Sequence, residues 1–521
     1  MKFVDERLNA CGPIVSPQVS ELFPIFVPET LGNNWRKIRE HFENRTRVSV
    51  DMALRLVVGG SLRPIFNNQI RNASALSAKQ VLEQQPAPEL TTLKNGFRVV
   101  TEENGRETAT VGVFIETGSR FETEANNGVA HFLERLIHRG TAKRTGAALT
   151  NELEQIGAKL QSRTGRNFTY FLVQSASGDV EKVVDILADV LRNSKLDAAS
   201  VEEERKILLA ELEESDNLYR DVCFNYLHSA AYQGTNLARS WLGTTDSIKK
   251  ISAQQLKEWV EDNYKATRMV MTGVGGNVSQ VSRLAEKYFG DLDNVYPRKV
   301  PDPDGIRFTG SEFLYRNDYI PNMHACIAVE GVGYGHHDAL ALQVASQFVG
   351  QWDVTHALTR TAPSRLVQKI SHDHGLKYFE NFNINYKDTG LWGIYYISDG
   401  KDLNETYGVM KSVQREWKHL ASAISDDETA MARNQFRTNF FTKLESNTGR
   451  AKFYGREALY TDGVRSLVDM EDQISRIDHT TLREAISRHV YDRDIATAGV
   501  GHTEAFPPYT FLRYGMSWWR L

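Results

Sequence analysis

The sequence predicts a protein of two similar domains, each built from both strands and helices. At 521 residues the chain is too long for one compact core, which favours two or more domains. From Glu89 onward, segments with strand-like alternation give way to segments with helical periodicity. Residues 110–116 are echoed at 324–330, and the step from Glu116 to Glu330 is 214 residues, about one domain. We therefore expect a duplicated fold.

The composition excludes several classes of function. Apolar residues make up 41% and charged residues 25% of the chain, as in ordinary globular proteins. A net charge of −4 and a pI near 6.4 provide no basic field, so we do not expect nucleic acid as a partner. No apolar run approaches the roughly 18 residues that a membrane-spanning helix needs. Any membrane attachment must therefore come through partners.

The N-terminal part divides into two unlike pieces. Residues 1–51 contain several acidic residues and no clear apolar period, and we treat them as an extension of unassigned status. From Met52 to Leu82 there is no Asp or Glu, while basic residues are spread among apolar ones. This composition is typical of a mitochondrial transit peptide, which we assign to residues 52–72 with cleavage after Asn72. The alternative is an ordinary basic linker.

The elements that follow can be assigned in order along the chain. Asn95-Gly96, flanked by alternating residues, predicts a hairpin over 90–100 with a type I′ turn. A helix is expected over about 127–139, with Asn126 as its N-cap. Further expected elements are strands over 111–118 and 168–174, helices over 148–156, 180–191 and 201–214, and a proline-bearing linker over 294–309.

The expected helix over 127–139 carries an altered metal-binding motif. Residues 131–135 read His-Phe-Leu-Glu-Arg, the inverted zinc-peptidase motif H-x-x-E-H with its last ligand replaced. In the intact motif two histidines on one helix face hold zinc, and the glutamate activates water. Here His131 and Glu134 remain, but Arg135 stays protonated and has no lone pair to donate. The pattern indicates a metallopeptidase that has lost its metal.

A second helical segment, 201–211, supplies the acidic side chains that such a site would need. Glu204 and Glu211 are seven residues apart, and hence lie on one face of a helix. In the inverted zincins the third ligand is a glutamate on another helix far downstream. The alternative interpretation is a solvated acidic helix, since charge runs are usually solvated faces.

The motif and several other segments together carry a resemblance to a known family. The matching segments are 126–134, 140–141, 220–228, 232–235, 388–393 and 515–520, with the helix of Glu204 and Glu211. They resemble the pitrilysin-like peptidases from about Glu89 to the C-terminus. Within that family the chain is most similar to the mitochondrial branch, which includes the processing peptidase subunits and the core subunits of ubiquinol–cytochrome c reductase, respiratory complex III.

The resemblance implies an α+β fold of two homologous pitrilysin-like domains that face each other as a clamshell. Each domain would be a mostly antiparallel sheet packed with helices. The first, over 73–293, would carry the degenerate zinc site, and the second, over 310–521, would follow the linker at 294–309. In register with the motif the second domain has Ala-Ser-Gln-Phe at 345–348, so that domain would have no site.

The resemblance also implies a non-catalytic core subunit on the matrix side of the mitochondrial inner membrane. Such a subunit is needed for assembly and stability of complex III, which transfers electrons from ubiquinol to cytochrome c. Its partners would be core subunit 2 and the other subunits, with a subunit presequence as a further candidate, and it would hold no cofactor of its own. The vestigial positions would be His131, Glu134, Arg135, Glu204 and Glu211. Of these, His131, Arg135 and Glu211 would be the family's ligand positions, and Arg135 could not bind a metal. Arg135 would form an ion pair with Glu204 or Glu211 where zinc once sat.

The alternative function is that of a zinc-dependent processing peptidase β subunit that cleaves presequences. It would use Glu134 as general base, with Glu204 and Glu211 beside the metal. It would also need another ligand in place of Arg135. His138 is no obvious substitute, because it lies about two helical turns from His131.

One further pair of histidines stands outside this site. His336 and His337 are expected in a surface loop that precedes a helix. A metal pair is disfavoured there, because adjacent residues do not face one way on a helix.

Overall fold

The computed structural model describes residues 78–298, 305–355, 362, 364–371, 375–461 and 463–518. The expected extension over 1–51 and the expected transit peptide over 52–72 lie outside the described residues. Of the expected linker, residues 294–298 and 305–309 are described and contain neither helix nor strand. Among the helices of the described ranges, none is long and apolar enough to cross a bilayer.

The first half of the chain forms a six-stranded mixed sheet with the order β1-β2-β6-β3-β5-β4. Its strands are β1 (Glu89–Thr92), β2 (Arg98–Glu103), β3 (Thr108–Ile115), β4 (Lys159–Thr164), β5 (Thr169–Ala176) and β6 (Met269–Gly275). All neighbouring strands are antiparallel except β2 and β6, which are parallel. The sheet is thus mostly antiparallel, and its late strand β6 is inserted at the centre.

The hairpin of β1 and β2 is confirmed, but its turn differs from the expected type I′. Leu90 pairs with Val100, as the sequence predicts. A type I′ turn needs positive φ at both central residues, and in this loop Gly96 has it, at 86°, while Asn95 does not. The Asn95 amide instead donates to the backbone carbonyl of Phe289 at 2.8 Å. The backbone N–H of Gly96 donates to the carbonyl of Leu93 at 2.9 Å and that of Leu93 to the carbonyl of Phe97 at 2.8 Å, so the loop has three residues and needs positive φ only at Gly96.

The first half also contains helices, most of which cover one face of this sheet. Their bounds are α1 (Ala78–Glu83), α2 (Val129–Leu136), α3 (Gly146–Gln155), α4 (Val180–Arg192), α5 (Ala198–Ser215), α6 (Tyr219–Ala231), α7 (Thr245–Lys250), α8 (Ala253–Asn263) and α9 (Val281–Phe289). The strand β3 alternates along its length, so Val111 and Val113 point into the core beside Phe132 of α2. This core fixes α2, which carries the altered motif, against the sheet.

The second half repeats this arrangement with the strand order β7-β12-β8-β11-β10-β9. Its strands are β7 (Glu312–Arg316), β8 (Met323–Val332), β9 (Gln351–Asp353), β10 (Leu376–Asn385), β11 (Thr389–Ser398) and β12 (Ile495–Gly501). Its helices are α10 (Ala339–Val349), α11 (Arg365–Ile370), α12 (Leu403–Ser422), α13 (Asp426–Leu444), α14 (Asn447–Tyr460), α15 (Leu467–Ser475), α16 (His479–His489) and α17 (Tyr509–Tyr514). The echoed segments lie on β3 and β8, which hold equivalent positions in the two sheets. The α+β class and the duplication are therefore confirmed.

Each sheet is covered on its other face by a helix from the opposite half of the chain. Helix α6 packs on the second sheet, where Cys223 and Leu227 join the core of Cys326 and Ala328. The two cysteine thiols are buried and lie 3.3 Å apart. Helix α14 packs in the same way on the first sheet. The two halves are thus held together by exchanged helices.

The contact of α14 with the first sheet combines close packing with a buried ion pair. Gly455 lets the helix approach closely, because a Cβ there would lie 2.3 Å from the ring of Phe114. On the same helix, Arg450 and the hydroxyl of Tyr454 both donate to the carboxylate of Glu102, which is fully buried. A buried charge needs such partners, so these contacts fix where α14 lies on the sheet.

Candidate functional site

The N-terminus of α2 is held by a buried carboxylate that the sequence does not reveal. Glu122 accepts the backbone N–H groups of Gly128 at 2.7 Å and Ala130 at 3.0 Å. Burial raises the pKa of Glu122 to about 7, although these N–H donors oppose the rise. The expected cap at Asn126 is wrong, since its side chain accepts from the backbone N–H of Thr123 instead. Gly128, with φ of 93°, occupies the cap position.

His131 lies buried between two carboxylates. Its Nδ1 is 3.4 Å from Glu134 Oε2, and its Nε2 is 3.6 Å from Glu211 Oε2. The indole of Trp241 stands edge-on to the imidazole, with ring centroids 5.2 Å apart. The expectation that α5 brings a glutamate to His131 is thus met by Glu211.

The charges around His131 favour an imidazolium over a neutral ligand. Burial opposes protonation, but the carboxylates of Glu134 and Glu211 outweigh it and raise the pKa of His131 to about 9. Contact with His131 in turn lowers the pKa of Glu211, and it lowers that of Glu134 against the opposing effect of burial. A zinc ligand must be a neutral imidazole, so metal binding would have to displace this proton.

Arg135 points to the other acidic side chain of α5. Its Nε donates to Glu204 Oε1 at 3.2 Å, which is one of the two ion pairs expected from the sequence. Arg139, one turn further on, donates through Nε to Glu204 Oε2 at 2.8 Å. Glu204 is 3% exposed. Both oxygens of a buried carboxylate are therefore satisfied by two guanidinium groups, which compensate its charge without a metal.

The residues at this site do not fit the zinc ion that the motif implies. Two atoms do have the arrangement expected of zinc ligands: His131 Nε2 and Glu211 Oε2 are buried, face each other and make no hydrogen bond. A catalytic zinc needs three protein ligands at about 2.0–2.2 Å. The remaining ligand position, that of the motif's second histidine, is occupied by Arg135, which has no lone pair to donate. Glu134 contacts Nδ1 of His131, on the other side of the ring from Glu211.

Sequence reasoning brought together the five motif residues but missed three neighbours. The position of Arg139 could have been predicted from the sequence, because a residue four positions after Arg135 lies on the same helix face. The contacts of Glu122 and Trp241 with α2 could not have been predicted in this way, since they depend on how loops fold back over the helix. In the second half, residues 345–348 lie on α10 in the equivalent region and include no histidine or carboxylate.

The fold and site together define a two-domain α+β protein with an inverted zinc-peptidase motif in which one ligand is lost. The family described as "Insulinase (Peptidase family M16)" matches residues 98–245, and "Peptidase M16 inactive domain" matches residues 250–436. The chain belongs to peptidase family M16, in agreement with the resemblance to the pitrilysin-like peptidases.

Among relatives, the chain is 65% identical to "Cytochrome b-c1 complex subunit 1, mitochondrial" of Caenorhabditis elegans, over 90% of this chain and the whole of that protein. The bovine protein of the same name is 38% identical, over 85% and 92% of the two chains. Human "Mitochondrial-processing peptidase subunit beta" is 36% identical, over 89% and 95%. In structure, the chain resembles one in "Complex III2 from Candida albicans, Inz-5 bound", with a TM-score of 0.73, 23% identity and coverage of 82% and 99%.

Proposed function

We propose that this chain is a non-catalytic core subunit of mitochondrial respiratory complex III. It contributes to assembly and stability of the complex that transfers electrons from ubiquinol to cytochrome c. Its high identity to relatives named as subunit 1 of the cytochrome b-c1 complex supports this role. The single observation that carries the non-catalytic part is the pairing of Arg135 with Glu204, where an intact motif would hold a second histidine.

The location and partners follow from the same proposal. The subunit lies on the matrix side of the inner membrane and reaches the membrane through its partners. Those partners are core subunit 2 and the other subunits of complex III, and a subunit presequence is a further candidate. The subunit holds no cofactor of its own.

Three features of the site each oppose metal-dependent cleavage. Arg135 brings a fixed positive charge to the place of a ligand. Without a metal, Glu134 and Glu211 raise the pKa of His131 to about 9, so a zinc ion would compete with a proton at this imidazole. Glu204 already has its charge compensated by Arg135 and Arg139. A zinc ion would have to displace the proton of His131 and lie near the guanidinium groups of Arg135 and Arg139. It would gain only two protein ligands, from His131 and Glu211.

A zinc-dependent processing peptidase β subunit remains the second candidate. Its support is the identity to the human processing peptidase subunit and the facing pair of His131 Nε2 and Glu211 Oε2, which lie 3.6 Å apart. Glu134 keeps the position of the general base. Under this function the zinc would be completed by a ligand from outside the motif.

The two candidate functions can be distinguished by replacing the gene with one that encodes Glu134→Gln. Glu134→Gln keeps the shape and hydrogen-bonding capacity of the side chain but removes the base, which would abolish cleavage by a peptidase. We expect this variant to assemble complex III normally, to retain ubiquinol–cytochrome c activity and to leave precursor processing unchanged. Deletion of the gene should remove assembled complex III. Accumulation of uncleaved precursors in Glu134→Gln would favour the peptidase, and an intact complex in the deletion strain would contradict the core-subunit role.

A further inference from the structure

A cluster of histidines and one aspartate lies in the second half of the chain, away from the altered motif. His336, His337 and Asp338 form the turn that leads from β8 into α10. His336 and His337 are exposed, so the expected surface loop is confirmed, while Asp338 is buried. Because the two histidines lie in a turn, the rule against adjacent ligands on a helix does not apply to them.

A third histidine reaches this turn from the end of α16. His489 Nε2 lies 2.9 Å from Asp338 Oδ2, and His337 Nε2 lies 3.4 Å from the same oxygen. Two imidazole nitrogens thus converge on one carboxylate oxygen. In a tetrahedral site with bonds of about 2.0–2.1 Å, neighbouring ligand atoms are about 3.3 Å apart. The two separations from Asp338 Oδ2, 2.9 Å and 3.4 Å, are close to this value.

The surroundings hold this carboxylate in a ligating orientation. Arg488 donates to Asp338 Oδ1 at 3.0 Å, which leaves Oδ2 directed at the histidines. Hydrogen bonds of this kind orient the ligands of metal sites.

His336 lies within reach of His337 and Asp338, and its ring packs beside the other two rings. Its Nδ1 accepts the backbone N–H of Asp338 at 3.1 Å, so its neutral form carries the proton on Nε2. Its ring packs against that of His337, with centroids 4.2 Å apart, and stands perpendicular to that of His489 at 5.4 Å. The ring therefore limits how far the two ligand rings can turn.

An ion can reach the cluster from solvent. His337 is exposed to solvent, and a cleft of about 590 Å³ opens on the side of His336 and His489, where Glu330 and Asp388 also line it. Arg488 also lines this cleft. Its positive charge compensates part of the charge of Asp338, so we expect weaker binding than at a structural zinc site of four protein ligands.

We propose that His337, Asp338 and His489 bind a divalent transition-metal ion of the Zn²⁺ class through Nε2, Oδ2 and Nε2. Imidazole and carboxylate ligands suit such ions, and a water molecule would complete the tetrahedron. The ion joins the start of α10 to the end of α16, so it stabilises the second domain. The site is independent of the proposed function and of the altered motif.

Zinc titration of the full chain, purified without a histidine tag, tests this proposal. Isothermal calorimetry with ZnCl₂ should show one saturable site, and zinc should raise the melting temperature. His337→Gln and His489→Gln should each weaken binding at least tenfold, because each removes one of three protein ligands. The matched control is His502→Gln, which alters a histidine 3.7 Å from Asp318 in the same domain and should leave binding unchanged.

Further variants and a second probe separate the possible outcomes. Binding that persists in the double variant His337→Gln/His489→Gln overturns the proposal, as does the absence of saturable binding. Loss of binding in His131→Gln would place the zinc at the altered motif and contradict both this proposal and the metal-free core subunit. With CoCl₂ the wild-type chain should give the intense visible absorption of a tetrahedral site, and a weak octahedral spectrum would overturn the assigned ligands. Melting of the metal-free variants checks their folding.

Discussion

Replacement of His131 by glutamine should change how the stability of the chain depends on pH. The ordinary pKa of histidine is near 6.5, whereas Glu134 and Glu211, against the effect of burial, raise that of His131 to about 9. One pKa unit corresponds to about 1.4 kcal/mol, so protonation of His131 contributes about 3 kcal/mol to the free energy of unfolding. His131→Gln removes this contribution and preserves the size of the side chain approximately.

The sign follows from the raised pKa in the folded state. Below pH 6.5 the imidazolium forms in both folded and unfolded chains, and the stabilisation is fully present. Between pH 6.5 and about 9 the unfolded chain loses its proton first, so the advantage of the wild type over His131→Gln should decline by about 3 kcal/mol. Urea unfolding at pH 6, 7.5 and 9 measures this difference. A constant difference across the three pH values would refute a protonated His131.

His228 provides a control of opposite sign. It is fully buried, and burial together with the nearby Arg166 holds its pKa well below the ordinary value. Because the folded chain keeps His228 neutral, the advantage of the wild type over His228→Gln should be full above pH 6.5 and should decline as the pH falls below it. Two histidines of one chain would then show opposite trends in the same assay.

Two further predictions concern the exchanged helix α14. Gly455→Ala should lower the free energy of unfolding by about 1–3 kcal/mol, because its Cβ would overlap the ring of Phe114. Gly408→Ala, in the open interior of α12, should instead raise stability by about 0.5–1 kcal/mol. Arg450→Met should cost about 3–5 kcal/mol, since it leaves the buried carboxylate of Glu102 without its cation. Urea unfolding checks all three, and equal stability of Gly455→Ala and Gly408→Ala would contradict the packing described.

Local patterns in the sequence predicted much of the first domain correctly. Seven-residue spacing placed Glu204 and Glu211 on one face of α5, and both reach α2. The same reasoning located the altered motif and the duplication. It succeeded because helical periodicity and strand alternation depend on neighbouring residues.

Contacts between distant parts of the chain were not predictable in this way. Asn126 has the chemistry of a helix cap, but Gly128 takes that position because Glu122 folds back to accept its N–H. His489 meets Asp338 only through the packing of α16 beside α10. The exchange of α6 and α14 between the halves has no local signal either, since it depends on which sheet face is left open.

Zinc content at the altered motif tests the central claim most directly. Complex III would be purified from strains that carry wild-type chain, Arg135→His or Arg139→His. Each chain would also carry His337→Gln and His489→Gln, which remove the site proposed in the second domain, and bound zinc would be measured with X-ray absorption to identify its ligands. Arg139→His is the matched control, because it removes a cation from the same carboxylate, Glu204, without restoring the motif.

The account predicts no zinc ligated by His131 and Glu211 in the wild type or in Arg139→His. It predicts zinc with two imidazole ligands and a carboxylate in Arg135→His, since that change restores the H-x-x-E-H motif. Stoichiometric zinc at His131 in the wild type, released by EDTA, would contradict the account and identify the chain as a metal-dependent peptidase subunit.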